Sequence, residues 1–162
     1  FERLNALTGL NGGFDLPTEV MWEIAHRAGT TTMYWWRDSY IQGDVVASIH
    51  CNDNRTKNGT KTQIFRVGAY NSNSWGLYDT MGNLLELCRD VGCYGDLADA
   101  PDAFTPKYDS GSVLSMARGN YWEVGAGNGS FKSSARTKVW SIANLDASLG
   151  KCYGFRVFFV AP

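Results

Sequence analysis

Several features that would assign this chain to a broad class at once are missing. Fifteen basic residues balance sixteen acidic ones for a net charge of −1, and no run of Lys or Arg occurs. The electrostatic footprint of a nucleic-acid-binding protein is therefore lacking, and we expect no nucleic-acid partner. No apolar stretch approaches the ~18 residues of a membrane span, and the first residues lack a charged segment followed by an apolar one. We expect no membrane insertion by this segment.

Cysteine is scarce as well. Four cysteines are too few for a disulfide-dense scaffold, and their spacing fits no zinc pattern. We expect free or structural thiols, because a lone cysteine is commonly buried like a small apolar side chain. A bridge between Cys88 and Cys152 stays open at this stage. The four residues are Cys51, Cys88, Cys93 and Cys152.

What the chain does have is ample material for one core. At 162 residues, 44% are hydrophobic, and six Trp, eight Tyr and eight Phe are among them. No internal repeat and no Pro/Gly/Ser-rich linker divides the sequence. These properties predict a single compact domain over residues 1–162.

One helix is well marked near the start. Thr18 is a candidate N-cap, Glu19 suits the first turn, and Gly29 suits the left-handed position that ends a helix. Apolar residues between them recur at helical spacing, so we expect them to face the core. They are Met21, Ile24, Ala25 and Ala28.

The rest of the chain reads as strands and long loops. Residues 111–119 (GSVLSMARG) and 154–160 (GFRVFFV) are β-branched and aromatic runs bounded by glycine, which predicts one strand in each. The polar stretch at 30–62 predicts a long irregular loop. The acidic segment 96–112 is also a predicted loop. Its carboxylates are compatible with a structural calcium ion, although their spacing is not that of an EF-hand, and we expect no other cofactor.

A tight corner is predicted at 71–83 (NSNSWGLYDTMGN), where turn residues surround an aromatic pair. We expect the side chains of Trp75, Leu77 and Tyr78 to be interior. Asp79 and Glu86 are the two carboxylates of interest. Without a partner positioned for proton transfer, they are expected to fix loops as hydrogen-bond acceptors rather than to catalyse a reaction.

Three blocks of sequence resemble one known family. They are FDLPTEVMWEIAHRAG at 14–29, VGAYNSNSWGLYDTMGNLLELC at 67–88, and the C-terminal pair ARGNYWEVGAGNGSFKSSARTKVW at 117–140 and YGFRVFFVAP at 153–162. In type and order they resemble the formylglycine-generating-enzyme/sulfatase-modifying-factor family. The resemblance implies an α+β, C-type-lectin-like fold with short strands, one or two helices and much irregular loop.

Within that family, the C-terminal block is most similar to the variable proteins of diversity-generating retroelements. In these proteins a fixed frame holds the backbone while interleaved positions vary. Carried over by position, the frame is Arg118, Gly119, Trp122, Gly125, Ala126, Gly129, Phe131, Gly154, Phe155 and Arg156. The candidate variable, ligand-binding residues are Tyr121, Glu123, Val124, Gly127, Asn128, Ser130, Lys132, Ser133, Ala135, Arg136, Lys138, Trp140 and Ser141. Their mixture of rigid aromatics, small polar groups and charges is typical of paratopes.

Enzymatic chemistry of the family kind is not expected. The oxidases bind copper through two cysteine thiolates, and this chain has Val124 and Gly129 at the corresponding positions. Neither supplies a soft ligand. Iron-dependent relatives use histidine-rich sites, whereas this chain has only His26 and His50, each more typical of a core or surface residue than of a ligand.

Three functions from different classes follow, in order of preference. The first is a non-catalytic, receptor-type variable protein that binds an unknown ligand, expected to be a protein, at a cell surface or on a phage virion. The second is an oxidase or other metal-dependent enzyme. The third is a carbohydrate-binding lectin, against which the Glu-Pro-Asn and Trp-Asn-Asp motifs of calcium-dependent sugar sites are absent. Members of the family carry a further segment before the Leu-Pro-Thr-Glu block, so this chain is compatible with the C-terminal part of a longer protein.

Overall fold

The computed structural model describes residues 1–10, 13–38, 64, 66–91, 115–121, 137–139 and 153–160. Two helices and six strands lie within these ranges. In chain order they are α1 (Glu2–Thr8), β1 (Gly13–Asp15), α2 (Glu19–Arg27), β2 (Leu85–Val91), β3 (Ser115–Arg118), β4 (Thr137–Val139), β5 (Tyr153–Phe155) and β6 (Phe158–Val160). The mixture of short strands and helices is the α+β class predicted from the sequence.

Helix α2 is fixed at its beginning by two side chains. The hydroxyl oxygen of Thr18 accepts a hydrogen bond from the backbone N–H of Met21 at 3.2 Å, which confirms the predicted N-cap. A second acceptor comes from β2, where the Asp90 carboxylate takes the N–H of Glu19 at 2.6 Å. Both satisfy backbone donors that have no partner within the helix. The N-terminus of α2 is therefore joined to the central strand of the sheet.

The end of α2 is fixed from the predicted corner. Ala28 caps the helix in the left-handed conformation, with φ 48°, and Gly29 follows it with φ 90°, in the position after the cap that was predicted for it. The Asn73 amide donates to the carbonyls of Ala25 at 2.8 Å and His26 at 3.0 Å. Its own oxygen accepts the N–H groups of two corner residues, at 3.0 Å each. One buried asparagine thus joins the helix terminus to the corner.

The face that α2 buries differs from the predicted one. Trp22 and Ala25 face the interior together with two polar residues, Glu19 and His26, whereas Ile24 is 55% exposed. Of the predicted core-facing residues, Ala25 and Ala28 are buried, and the prediction is wrong for Ile24 because Glu19 and His26 take interior positions with buried partners. Once they are counted as interior, the buried stripe of the helix moves away from Ile24.

The strands form two sheets. The larger has the order β4-β3-β2-β5, in which β2 pairs antiparallel with β3 and parallel with β5. The smaller pairs β1 with β6 antiparallel. The prediction of one continuous strand at 154–160 was wrong, because the chain leaves the large sheet after Phe155 and joins the small one at Phe158. In the other predicted strand, 111–119, the described part is β3.

One part of the core lies between α2 and the large sheet, and a second part lies on the opposite face of that sheet. One cluster joins Trp22 to Cys88 and Met116, and another joins Leu85 to Ala117. Leu87, Tyr121 and Tyr153 pack partly against the second cluster. Cys88 is a free, buried thiol. The other three cysteines lie outside the described residues.

The corner at 71–83 is less apolar inside than predicted. Trp75 is 58% exposed and Tyr78 is 48% exposed, while Leu77 is half-buried. The expectation that all three would be interior was therefore wrong for the two aromatics. The physical reason is that Asn73 holds the turn by hydrogen bonds, so the corner does not depend on burying rings. Of the helices described, none is long and apolar enough to cross a bilayer.

Candidate functional site

Two arginines of the predicted frame flank the predicted variable segment. The first, Arg118, ends β3 and is completely buried. Its guanidinium lies 3.6 Å from the Glu19 carboxylate, contacts the Glu23 carboxylate, and sits 5.5 Å from the centre of the Trp22 ring. Glu19 and Glu23 are four residues apart, so they lie on one face of α2 and meet the arginine together. The beginning of the variable segment is thereby tied to the helix.

The second, Arg156, follows β5 and is tied to the central strand. Its Nη2 and Nε atoms donate to the two Glu86 carboxylate oxygens at 2.6 and 3.0 Å. Nη2 also donates to the carbonyl of Tyr78 at 2.7 Å. The same carboxylate accepts the indole N–H of Trp22 at 2.6 Å. Glu86 therefore joins α2, β2 and the C-terminal frame as the acceptor of three hydrogen bonds.

The register of the large sheet brings both ends of this segment to one level. Glu86 in β2 is opposite Arg118 in β3 and opposite Gly154 in β5. Neighbouring strands are separated by ~4.8 Å, so the two outer positions lie roughly 10 Å apart. The chain thus leaves β3 after Arg118, passes through β4 at the outer edge of the same sheet, and enters β5 on the other side of β2. The ion pairs of Arg118 and Arg156 lie at the end of β3 and just after β5.

The first residues after Arg118 form a constrained turn. Gly119 has φ 88°, and an added Cβ would lie 3.1 Å from both the carbonyl oxygen of Thr80 and the Trp22 ring. Asn120 follows in the left-handed conformation with φ 60°. Its side-chain oxygen accepts the N–H of Tyr121 at 2.9 Å, whereas its buried amide nitrogen makes no hydrogen bond. Asparagine is the residue other than glycine that best tolerates this conformation.

The described part of the chain contains only a portion of the predicted site. Of the frame, it includes Arg118 and Gly119 at one end and Gly154, Phe155 and Arg156 at the other. Of the candidate variable residues, Tyr121 is half-buried against the core and Lys138 lies in β4. The remaining ones lie outside the described residues, as do the frame residues Trp122, Gly125, Ala126, Gly129 and Phe131.

Titratable groups of the core are held in unreactive states. His26 is stacked on Trp22 with ring centres 4.8 Å apart, and its Nδ1 lies 2.9 Å from the Thr80 hydroxyl. Burial, followed by the nearby charge of Arg118, lowers the pKa of His26 to about 3. Burial, followed by the charge of Glu19, raises the pKa of the Cys88 thiol. At neutral pH both groups are uncharged and unsuited to acid–base or nucleophilic chemistry.

The other sequence-predicted positions are placed as follows. Asp79 accepts the backbone N–H of Gly68 at 2.5 Å, which is the loop-fixing role predicted for it. Where side chains are described, no group of three or more His, Cys, Asp or Glu residues is placed to hold a metal ion. Val124, Gly129, His50 and the acidic segment 96–112 lie outside the described residues.

The network contains residues that sequence reasoning did not single out. Glu19 was read only as a first-turn residue, and Glu23, Asn73 and Asp90 were not considered. The i, i+4 spacing of Glu19 and Glu23 was an available signal, because it places two acids on one face of the helix, whereas the local cation Arg27 is at i+4 from Glu23 alone. For Asn73 and Asp90, no local signal distinguishes a buried cap from an exposed polar residue.

Known proteins resemble this chain in sequence and in structure. Among curated relatives, the serine/threonine-protein kinases pkn1 of Chlamydia caviae and of Chlamydia pneumoniae are each 29% identical, over 145 and 147 residues. These alignments cover 89% of the chain but only 21% and 20% of the relatives. The chain therefore spans about a fifth of the length of the curated proteins it matches.

Solved structures show the same fold. PvdO from Pseudomonas aeruginosa superposes with a TM-score of 0.70 at 23% identity, over 96% of this chain and 55% of its own. Treponema denticola variable protein 1 gives 0.63 at 23% identity, over 90% and 47%. CarF gives 0.61 at 19% identity, over 92% and 49%. The C-type-lectin-like fold implied by the sequence resemblance is confirmed, with the chain spanning about half of each solved relative.

The family model of the sulfatase-modifying factor enzyme 1-like domain matches residues 4–160. Its match includes α2, the corner, the central strand and the closing Gly154-Phe155-Arg156. The chain belongs to the sulfatase-modifying factor enzyme 1-like domain family.

Proposed function

We propose that this chain is a non-catalytic, ligand-binding variable protein of a diversity-generating retroelement. In this proposal the segment from Tyr121 to Ser141 presents the variable residues, and its ligand is a protein met at a cell surface or on a phage virion. The frame residues keep the backbone in place while the displayed residues change. No metal or organic cofactor takes part, although a structural calcium ion at 96–112 is compatible with the proposal.

The observation that carries the proposal is the anchoring of the segment at both ends. Arg118 is buried against the carboxylates of α2, and the half-buried Arg156 is paired with Glu86, one on each side of β2. In this arrangement, the side chains of the segment itself are not needed to position the parts of the chain that precede and follow it. That independence is what a display surface requires, because it permits substitution without loss of the fold.

Support for a binding role over catalysis comes from the chemistry of the frame. His26 is neutral and enclosed, Cys88 is buried, and Glu86 is saturated by three donors. At the positions of the oxidase thiolates the sequence has Val124 and Gly129. Likeness to Treponema denticola variable protein 1 supports the proposal at the level of fold.

The genetic test is to sequence the DNA beside the gene. We expect a second copy of the segment from about residue 117 to residue 162 that differs almost solely at adenines, next to a reverse transcriptase. Such a copy would identify the variable positions directly. If no template copy and no reverse transcriptase are found, the retroelement assignment is wrong.

A protein-level test compares displayed residues with frame residues. If the proposed display role is right, replacing Glu123, Lys132, Arg136 and Trp140 together by alanine should lower the free energy of unfolding by no more than about 1 kcal/mol, because the proposal assigns these side chains no part in the core. The matched frame variant, Arg118→Met, should cost about 3 kcal/mol or more because it takes the Arg118 cation away from the buried Glu19 carboxylate, whereas the half-buried Glu23 keeps its pair with Arg27. Urea unfolding measures both. Equal losses would mean that the segment is part of the core rather than a display surface.

The oxidase alternative has its own assay. The protein is loaded with copper(I) and incubated with a cysteine-containing sulfatase peptide and oxygen, and aldehyde is measured by hydrazide labelling. We expect no aldehyde above that of a copper-only blank. Aldehyde formation that depends on the protein would replace the binding proposal by an enzymatic one.

A further inference from the structure

A cleft lies beside the anchored frame and outside the variable segment. It has a volume of about 450 Å³ and opens between the corner at 76–79 and the end of β5. The residues used below that line it are Val67, Tyr78, Asp79, Glu86, Phe155 and Arg156. None of them belongs to the predicted variable positions, so whatever this cleft binds does not depend on the function proposed above.

The walls of the cleft are apolar and open to solvent. Val67 is 84% exposed, Phe155 is 64% exposed and Tyr78 is 48% exposed. Single exposed apolar residues are ordinary on a protein surface, but several around one concavity form the kind of patch that binds a partner. Two of the three are aromatic, and rings supply contact area with little side-chain entropy to lose. The cleft is therefore built for contact with an apolar stem.

The charged side chains that line the cleft have a net negative charge. The Arg156 guanidinium is bound to both oxygens of Glu86, so these two charges offset each other. Asp79 accepts the N–H of Gly68 through Oδ2. Within the part of the chain that the structure describes, its Oδ1 accepts no hydrogen bond. One carboxylate oxygen thus remains for a ligand, next to aromatic walls.

We propose that this cleft binds the side chain of a lysine or arginine presented by a partner protein. The cationic head lies against Asp79, and the aliphatic stem lies between the rings of Tyr78 and Phe155. A carboxylate favours the cation by charge, and the face of an aromatic ring attracts it further. An apolar side chain would leave the free oxygen of Asp79 unused, and an anionic one would be repelled by it.

The experiment uses 15N-labelled protein and three small probes. Nα-acetyl-lysine methylamide carries the cation, Nα-acetyl-norleucine methylamide has the same stem without the charge, and Nα-acetyl-glutamate methylamide reverses the charge. Backbone amide shifts of Gly68, Gly76 and Gly154, which line the cleft, report binding. For a single side chain we expect a Kd on the order of 1 mM for the lysine probe. The norleucine and glutamate probes should bind at least about fivefold more weakly.

Two variants separate the role of Asp79 from general effects of charge. Asp79→Asn removes the charge but keeps an oxygen that can accept the Gly68 N–H, and it should weaken lysine-probe binding at least about fivefold. The matched control is Asp38→Asn, because Asp38 is an exposed carboxylate that also accepts one backbone N–H, from Met33 at 3.1 Å. It should leave binding unchanged.

Several results would overturn the proposal. They are equal binding of the lysine and norleucine probes, tighter binding of the glutamate probe, and an unchanged Kd in Asp79→Asn. A further one is the absence of any shift at the three glycines up to about 20 mM probe. If Asp79→Asn proves unstable, the comparison of the three probes on the unmodified protein decides, with salt expected to weaken only the lysine probe.

Discussion

Replacing Glu86 by glutamine tests the hydrogen bonds that join β2 to Trp22 of α2 and to Arg156. Glu86 is 8% exposed and accepts hydrogen bonds from Trp22 and from two nitrogen atoms of Arg156. Glutamine keeps the size of the side chain but supplies only one acceptor oxygen. Its amide group must then face either the indole N–H or the guanidinium, so two donors oppose each other and the Arg156 charge loses its counter-ion.

The expected loss in the free energy of unfolding depends on how deeply the Glu86 and Arg156 side chains are buried. Breaking a fully buried ion pair by removing one partner costs about 3–5 kcal/mol, chiefly because the remaining charge is left uncompensated. The Arg156 side chain retains 22% of its exposure, so solvent recovers part of that cost. We therefore expect Glu86→Gln to lower the free energy of unfolding by about 3 kcal/mol.

The assay is urea unfolding followed by circular dichroism for Glu86→Gln, Arg156→Met and the double variant. Because the two side chains act on each other, the effects should fail to add, with a coupling energy of about 2 kcal/mol. The matched control is Asp15→Asn, which removes the carboxylate of the solvent-exposed pair with Arg89 at 3.2 Å. That change should cost no more than about 0.5 kcal/mol. A loss below about 1 kcal/mol for Glu86→Gln, or strictly additive single variants, would refute the reasoning.

Three further predictions concern residues near Glu86 and Trp22. Gly119→Ala should destabilise the protein by about 3 kcal/mol more than Gly29→Ala, because both sites have φ near 90° but only at Gly119 does an added Cβ meet backbone and the Trp22 ring. Thermal or urea unfolding of the pair measures the difference, and equal losses would contradict the predicted clash. Asn120→Gly should raise the free energy of unfolding by roughly 0.5–1 kcal/mol, because it removes a buried amide without a hydrogen bond and relieves a left-handed conformation; a loss of stability would show that the side chain contributes more than its visible bond. Since the pKa of His26 is about 3 in the folded protein against an ordinary 6.5, the unfolded chain binds a proton that the folded one does not. Stability should therefore fall as pH drops from 6.5 towards 3, by up to about 1.4 kcal/mol per pH unit, and His26→Gln should flatten this slope in pH-dependent unfolding, whereas equal slopes would contradict the shift.

Local signals in the sequence predicted the elements that local physics controls. The N-cap at Thr18 and the beginning of α2 are confirmed, and so is a strand within 111–119, because each depends on neighbours in the sequence. Asp79 is confirmed as a hydrogen-bond acceptor that fixes a loop, and Glu86 is confirmed as a buried acceptor. The spacing of residues does not predict these surroundings, whereas the family resemblance does.

The elements that were missed depend on distant partners. Residues 154–160 form two strands in different sheets because Arg156 turns towards Glu86, which lies seventy residues earlier in the chain. Glu19 is buried because Arg118, in the sequence-distant strand β3, supplies its counter-ion. The outward position of Ile24 follows from that burial. A hydropathy pattern has no information about such pairs, since each residue taken alone is polar and is expected to face water.

The two arginine anchors are costly to bury, and that cost bears on what they do. A buried ion pair gains little net free energy over a well-packed apolar pair, but it tolerates far fewer alternative partners. In our proposal, Arg118 on one side of β2 and Arg156 on the other therefore define where the chain leaves β3 and where it leaves β5, more than they add to stability. If the segment is a display surface, as we propose, residues outside the segment fix its geometry. Its own side chains are then not needed for folding and can vary. The same argument predicts that changes in the anchors will be felt throughout the segment, whereas changes within the segment will remain local.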